Sequence, residues 1–208
     1  MKIVIFGATG LVGRDLTYQA LDQEHEVKAF VRRSGALNIK HNRLKEFYGD
    51  AFDSQAVTAA IEGAEAVIVS LGSSKLTGKI RSVGTRNIIQ GMKHHGVKRL
   101  ICQSTLGAGD SYANLNFYWK YIMFGALLRN VFKDHLQQEK LIQESNLDWT
   151  IIRPGAHISG SLTNNFKHGF GPEENNIKLK ISRADVACFM LQQLKNDLNM
   201  HRAVSLSY

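Results

Sequence analysis

Three glycines recur at a spacing of three residues in Gly7-Ala8-Thr9-Gly10-Leu11-Val12-Gly13. This stretch follows the apolar run Lys2 to Phe6 and precedes apolar residues at helical spacing, so it marks a passage from strand to helix. There, glycines allow a tight bend, a close approach of backbone to a pyrophosphate and close helix packing. Free N–H groups at the helix start hold the anion. We therefore expect a dinucleotide to contact Gly7, Ala8, Thr9, Gly10, Leu11 and Val12.

The end of the second predicted strand indicates which dinucleotide binds. An NAD site usually carries an acidic residue here for the ribose 2′-hydroxyl. The segment from Ala29 to Ser34 contains no acid and instead has Arg32-Arg33-Ser34. Two guanidinium groups and a hydroxyl are suited to a 2′-phosphate. We expect NADP(H) to be preferred over NAD(H); the alternative is that both arginines lie exposed on a loop.

Further candidate residues follow the other predicted strands. After the third strand come Asp50 and Ala51, where the carboxylate accepts a hydrogen bond from adenine or caps a turn. Leu71, Gly72 and Ser73 follow the fourth strand, and Gln103 and Ser104 follow the fifth. Pro154 and His157 follow the sixth. Because ligands bind at the carboxyl ends of parallel strands, we expect these residues to meet in one crevice.

Ser104 and His157 are the candidate catalytic residues. We expect Ser104 to orient the nicotinamide or an acceptor, unless its hydroxyl bonds the adjacent backbone. We expect His157 to line the acceptor site rather than to transfer a proton, unless it is an ordinary loop histidine. No histidine or cysteine spacing indicates a metal site.

Alternating strand and helix patterns predict the elements that position these residues. The pattern indicates a single α/β domain, residues 1–208, with a doubly wound parallel sheet and helices on both faces (a Rossmann fold). Predicted strands are Lys2–Phe6, Glu26–Val31, Leu44–Tyr48, Ala66–Leu71, Lys98–Gln103, Trp149–Arg153 and an edge strand Ala203–Leu206. One predicted helix follows Gly10, and another follows the Ser182 cap. The other predicted helices are Ala56–Glu62, capped by Asp53, Gly84–His95 and Asp134–Glu144.

Composition limits the classes of function. The chain has 44% hydrophobic and 21% charged residues, which is typical of a globular protein. Its net charge of +8 comes from scattered lysines and arginines, so we expect no nucleic-acid partner. Two cysteines, Cys102 and Cys188, lie in apolar runs and are predicted to be buried free thiols. With no signal-peptide pattern, we expect a cytoplasmic protein without a membrane span.

An aromatic run from Leu115 to Phe132 has three interpretations. Phe117, Tyr121, Phe124 and Leu128 share one helical face. That face packs into the core, forms an apolar wall for a flat acceptor, or contacts a second copy or a membrane surface. We assign acceptor-site segments near residues 106–130 and 156–180, and expect Phe166, His168 and Phe170 to close over the acceptor from a loop.

Several of these segments resemble the atypical short-chain dehydrogenase/reductase families. The resemblance is carried by Gly7 to Gly13, Asp50, Gln103-Ser104, Leu147 to Gly155 and Ser182 to Ala187. Within these families the chain is most similar to the flavin reductase/biliverdin-IXβ reductase group, through Gly84-Thr85-Arg86-Asn87, Met92 to Val97 and Pro154 to Ile158. The resemblance implies NADPH-dependent reduction of a flavin, biliverdin or a related planar acceptor, with Ser104 and His157 at the acceptor.

The usual proton relay of this superfamily, Tyr-x-x-x-Lys, is missing: no tyrosine of the chain has lysine four residues later. Hydride delivery to an electrophilic acceptor, with flavin as substrate rather than prosthetic group, remains the expected chemistry. The alternatives are a non-catalytic NADP-sensing regulator resembling the NmrA-type proteins and a reductase or isomerase of another small molecule. We expect a monomer or a weak homodimer.

Overall fold

The computed structural model describes residues 1–72 and 77–208 and contains one α/β domain. Strands are β1 (Lys2–Phe6), β2 (Glu26–Val31), β3 (Leu44–Tyr48), β4 (Ala66–Val69), β5 (Arg99–Gln103), β6 (Asp148–Pro154), β7 (Ala156–Ile158), β8 (Lys167–His168), β9 (Lys180–Ser182) and β10 (Arg202–Ser207). Helices are α1 (Leu11–Asp22), α2 (Ser54–Ile61), α3 (Ile80–His95), α4 (Arg129–Gln143) and α5 (Arg183–Gln192). Short 3₁₀ turns cover Gly109–Asn114 and Asp197–Asn199, and a π-helix covers Tyr118–Leu127.

The main sheet has eight strands in the order β3-β2-β1-β4-β5-β6-β10-β8. All pairs are parallel except β10 with β8. One buried cluster packs α1 and α5 on one face, and a second packs α2, α3 and α4 on the other. This confirms the predicted doubly wound Rossmann fold. β7 and β9 form a separate two-stranded sheet.

Local capping signals place two helices as predicted. The Asp53 carboxylate accepts from the N–H groups of Gln55 and Ala56, and α2 begins at Ser54. The Ser182 hydroxyl accepts from the N–H of Asp185, and α5 begins at Arg183. Each cap joins residues no more than three apart, so the start of each helix can be predicted from the local sequence.

α3 begins four residues earlier than predicted, at Ile80 rather than Gly84. The carboxylate of Asp134, on α4, accepts hydrogen bonds from the N–H groups of Arg81 and Ser82, each at 3.0 Å, and from the Ser82 hydroxyl at 2.5 Å. This cap lies more than fifty residues away in the chain. A local pattern therefore misses the first turn of α3.

The last strand is interior rather than an edge. β10 pairs with β6 on one side and with β8 on the other, where Leu206 lies opposite His168. β6 also extends through Pro154, whose carbonyl accepts from Leu106 N–H. Proline lacks only the donor, so it is tolerated at a strand end.

The predicted loop from Phe166 to Phe170 does not close over one ligand. The Phe166 and His168 rings pack against Phe189 of α5, on the α1 and α5 face. Phe170 packs instead with the cluster that contains Leu106. Pairing of β8 with β10 separates these rings, so this prediction was wrong.

The aromatic run forms a π-helix in which Phe124 alone is buried. Phe117 and Tyr121 are 71% and 61% exposed. In a π-helix the hydrogen bonds join residues five apart, so the predicted face at 3.6-residue spacing breaks up. Core packing is therefore wrong for Phe117 and Tyr121, whereas Phe124 is buried and Leu128 packs against it in part. Phe124, Leu115 and Leu106 form a small cluster of their own.

Both cysteines are buried and unpaired, as predicted. Among residues 1–72 and 77–208, no helix is both long and apolar enough to cross a membrane.

A buried ion pair joins β6 to α4. Arg153 donates from Nε and Nη2 to the two carboxylate oxygens of Glu139, at 3.0 and 2.7 Å. The side chains are 4% and 5% exposed. Arg153 also binds Asp110 in the 3₁₀ turn. The Arg153 guanidinium thus joins β6 to α4 and to the 3₁₀ turn that follows β5.

We predict that Glu139→Ala lowers the free energy of unfolding by about 3–5 kcal/mol, because it leaves a buried guanidinium without its main partner. Chemical denaturation measures this change. The control is Glu24→Ala, which breaks the exposed 3.4 Å pair with Arg43 and is expected to change little. Equal losses from both variants would contradict this role for the Arg153–Glu139 pair.

Candidate active site

The turn between β1 and α1 requires glycine at two positions, as the sequence predicts. Gly7 has φ +87°, and a Cβ there would lie 2.2 Å from the Ser70 carbonyl oxygen. A Cβ on Gly13 would lie 2.1 Å from the Gly7 carbonyl oxygen. Only glycine fits at both positions. The backbone of this turn is suited to the close approach of a pyrophosphate.

The start of α1 is available to an anion. Gly10 precedes the helix, and no side chain of residues 1–72 or 77–208 caps the N–H groups of its first turn. The first turn also contains no acidic residue. Uncapped N–H groups and the positive end of the helix dipole attract phosphate. α1 differs in this respect from α3, whose N-terminal N–H groups are occupied by Asp134.

A crevice of about 1110 Å³ runs along the carboxyl ends of the strands from this turn. Its volume exceeds the roughly 300–1,000 Å³ typical of a single small-molecule pocket. Most predicted cofactor-binding residues line it: Gly7, Thr9, Gly10, Leu11, Val12, Arg32, Asp50, Ala51, Leu71, Gly72, Gln103, Ser104, Pro154 and His157. The crevice brings these strand ends together.

Three predicted residues are placed differently, and a fourth cannot be compared. Ala8 is fully buried beneath the turn. Arg33 and Ser34 lie beside Arg32 but do not line the crevice, and the Ser34 hydroxyl lies 3.2 Å from the Tyr48 hydroxyl. Ser73 lies outside the described residues. Within the described chain, Arg32 is thus the predicted 2′-phosphate residue that reaches the crevice.

Asp50 both lines the crevice and caps a turn. It lines the crevice, and its carboxylate also accepts from the N–H of Phe52 at 3.0 Å. Asp50 thus caps the turn through Oδ1 alone, and Oδ2 takes no part in this hydrogen bond. The role toward adenine stays a prediction.

Ser104 is buried, with 2% of its surface exposed, and lines the crevice. Its N–H donates to the Ile152 carbonyl at 2.7 Å, which fixes the backbone at the end of β5. Its hydroxyl oxygen has no hydrogen-bond partner among the described residues. The alternative of a hydroxyl bonded to the adjacent backbone is absent here. A buried hydroxyl without a partner is suited to a ligand.

His157 lies at the mouth of the crevice and is held by an amide. The Ser70 hydroxyl donates to Gln103 Oε1 at 2.8 Å, which turns Gln103 Nε2 toward His157 Nε2, 3.1 Å away. His157 Nε2 therefore accepts, and its proton resides on Nδ1. His157 is an exposed residue by its surface area, but the loss of solvent on its crevice side, and then repulsion from Arg183, lowers its pKa to about 4.

Trp119 and Phe124 from the π-helix line the crevice and lie in the predicted acceptor-site segment 106–130. Sequence reasoning missed three other lining residues, which are Ile80 and Arg81 from α3 and His135 from α4. Burial, followed by repulsion from Arg81, lowers the pKa of His135 well below its usual range. No local spacing marks these residues, because helix packing brings them to the strand ends.

We predict that an NMR titration finds His157 neutral at pH 7, with a midpoint of about 4 instead of its ordinary 6.5. Replacing Arg183 by Met removes the repulsion, so the midpoint rises but stays below 6.5 because burial remains. A midpoint near 6.5 in the unaltered protein would show that the ring is not enclosed by the crevice. A neutral ring accepts or donates a hydrogen bond and does not act as an acid at neutral pH.

Known proteins share this architecture. ChuY, described as an anaerobillin reductase from Escherichia coli O157:H7, has a TM-score of 0.82 at 26% identity, over 100% of this chain and 97% of that chain. A short-chain dehydrogenase/reductase from Veillonella parvula DSM 2008, solved in complex with NADP, has a TM-score of 0.81 at 17% identity, over 100% and 94% of the two chains.

A curated relative and a family match agree with these structures. Sterol demethylase protein B from Methylococcus capsulatus is 29% identical over 170 residues, 76% of this chain. The match covers 52% of that protein, so the chain spans about half its length. The NAD(P)H-binding family matches residues 7–197. The chain therefore belongs to the NAD(P)H-binding family, and its structural neighbours of the same Rossmann fold include proteins described as an oxidoreductase and as a reductase.

Proposed function

We propose that this protein is an NADPH-dependent reductase of a planar conjugated acceptor such as a flavin, biliverdin or a quinone. The observation that carries the proposal is the second half of the crevice, beyond the glycine turn. An apolar wall there faces the Ser104 end of β5 and consists of Leu106, Leu115, Trp119, Phe124, Leu128, Val131 and Leu179. A flat apolar ligand fits such a wall. The name of ChuY, an anaerobillin reductase, is consistent with this class.

The cofactor residues follow from the polar half of the crevice. The uncapped N–H groups of α1 hold the pyrophosphate, and Arg32 holds the 2′-phosphate. The exposed side chains of Leu11 and Phe52 flank the crevice and are covered when the cofactor binds. When bound, NADPH supplies a hydride to the acceptor.

The protein's own residues position the reaction rather than relay a proton. Among the described residues that line the crevice there is no tyrosine and no lysine. Ser104 donates a hydrogen bond to the nicotinamide or the acceptor, and neutral His157 borders the acceptor. The apolar wall excludes water from one face of the ligand. The reduced acceptor takes its proton from solvent at the open mouth.

We predict that the purified protein oxidises NADPH with at least one acceptor among FMN, riboflavin, biliverdin and quinones. Ser104→Ala is expected to lower kcat/KM by roughly ten- to hundredfold, because it removes one aligned donor in a buried site. Ser54→Ala, on the exposed start of α2, is the matched control. Loss of NADPH absorbance measures both. Tight NADP binding with no turnover in the whole panel would favour the NADP-sensing regulator instead.

We predict that Arg32→Ala weakens NADPH binding about tenfold or more and leaves NADH binding nearly unchanged. A hydrogen bond to a charged group contributes about 1.5 kcal/mol or more, and only NADPH carries the 2′-phosphate. Calorimetric titration gives both dissociation constants. The control is Arg33→Ala, because Arg33 does not line the crevice. Tighter binding of NADH than NADPH by the unaltered protein would refute the assignment of NADP.

A further inference from the structure

Three polar side chains from three different elements line the crevice, and each has a buried atom with no hydrogen-bond partner among the described residues. The three atoms are Arg81 Nε at the start of α3, Ser104 Oγ after β5 and His135 Nδ1 in α4. Ser104 and His135 are 2% and 8% exposed, and the Arg81 side chain is 11% exposed. Buried polar groups normally have partners, because an unpaired one is costly. Three such side chains in the lining of one crevice are suited to a ligand that satisfies them.

Arg81 is only weakly neutralised by the protein. Its Nη1 lies 3.8 Å from Asp134 Oδ2, which is too long for a hydrogen bond. The Asp134 carboxylate is already occupied by the N–H groups of Arg81 and Ser82 and by the Ser82 hydroxyl. The negative charge of Asp134 therefore serves mainly the N–H and hydroxyl groups at the start of α3. Among the described residues nothing accepts a hydrogen bond from the Arg81 guanidinium, which keeps its positive charge.

The other two groups can add hydrogen bonds to an anion. The Ser104 hydroxyl donates or accepts. The His135 ring is kept neutral by burial and by Arg81 and has one N–H, which must be on Nδ1 to serve the anion. We infer that Arg81, Ser104 and His135 form a subsite for an anionic oxygen group, and that the ligand of the crevice is a planar conjugated carboxylic acid. Its carboxylate binds Arg81, and its ring system lies along the wall formed by Trp119 and Phe124.

This inference rests on the proposed function only in taking the apolar half of the crevice as the acceptor site. A phosphate of the cofactor has the same chemistry and is the other possible source of the anion. The carboxylate is favoured because the pyrophosphate already has the uncapped N–H groups of α1. Arg81 lies instead with Ser104 and the aromatic wall.

Calorimetry with naphthoate and its uncharged analogue naphthamide tests the subsite in the protein saturated with NADP⁺. We expect naphthoate to bind at least about tenfold more tightly than naphthamide, since a charge-assisted hydrogen bond contributes about 1.5 kcal/mol or more. Arg81→Met is expected to abolish this preference. Arg86→Met, which removes an exposed arginine from the same helix, is expected to keep it. Ser104→Ala, which leaves the charge in place, is expected to reduce it.

Each other result overturns the inference. Equal affinity for naphthoate and naphthamide in the unaltered protein excludes the subsite. An unchanged preference in Arg81→Met excludes Arg81, and weaker NADP⁺ binding in that variant with the preference retained assigns Arg81 to the cofactor phosphates. If Arg81→Met does not fold, as circular dichroism would show, an unchanged preference in Ser104→Ala excludes the subsite. The subsite stands, and the proposed reductase activity fails, if the preference is present while no acceptor is turned over.

Discussion

Gly13 lies so close to Gly7 that no side chain fits between α1 and the turn before it. This contact fixes where α1 begins and brings its first N–H groups to the edge of the sheet. Parallel pairing of β1 with β2 and β4 then places the next two strand ends beside the turn. The polar half of the crevice follows from these two constraints.

The other half of the crevice depends on a buried charge. Arg153 links β6, α4 and the turn after β5 through Glu139 and Asp110. α4 carries His135 and begins where the π-helix ends, so the same ion pair anchors the base of the aromatic wall. Such a pair contributes little net stability relative to apolar packing, but it defines one arrangement because each partner is costly to leave alone. The crevice is thus bounded by close backbone packing beside the glycine turn and by an ion pair beside the aromatic wall.

The parts of the fold that local chemistry determines could be predicted from the sequence. Gly7 and Gly13, the caps at Asp53 and Ser182, and the apolar strands act within a few residues, and the doubly wound sheet follows from their order. The first turn of α3 could not be predicted, because its cap is Asp134. Arg81 and His135 escaped notice for the same reason: they meet Ser104 only when α3 and α4 pack. The shared face predicted for the aromatic run was wrong for Phe117 and Tyr121, because a π-helix changes which side chains lie on one side.

The short strand β8 has a consequence for how the protein behaves in a crowded solution. A free edge of β10 would present unpaired backbone groups to any extended chain, and such edges promote aggregation. β8 covers part of this edge with only Lys167 and His168, both exposed and polar. At the far side of the sheet, β3 carries exposed Lys45. The sheet therefore ends on both sides in lysine-bearing strands that discourage pairing between molecules, which protects a fold whose central strands are almost wholly apolar.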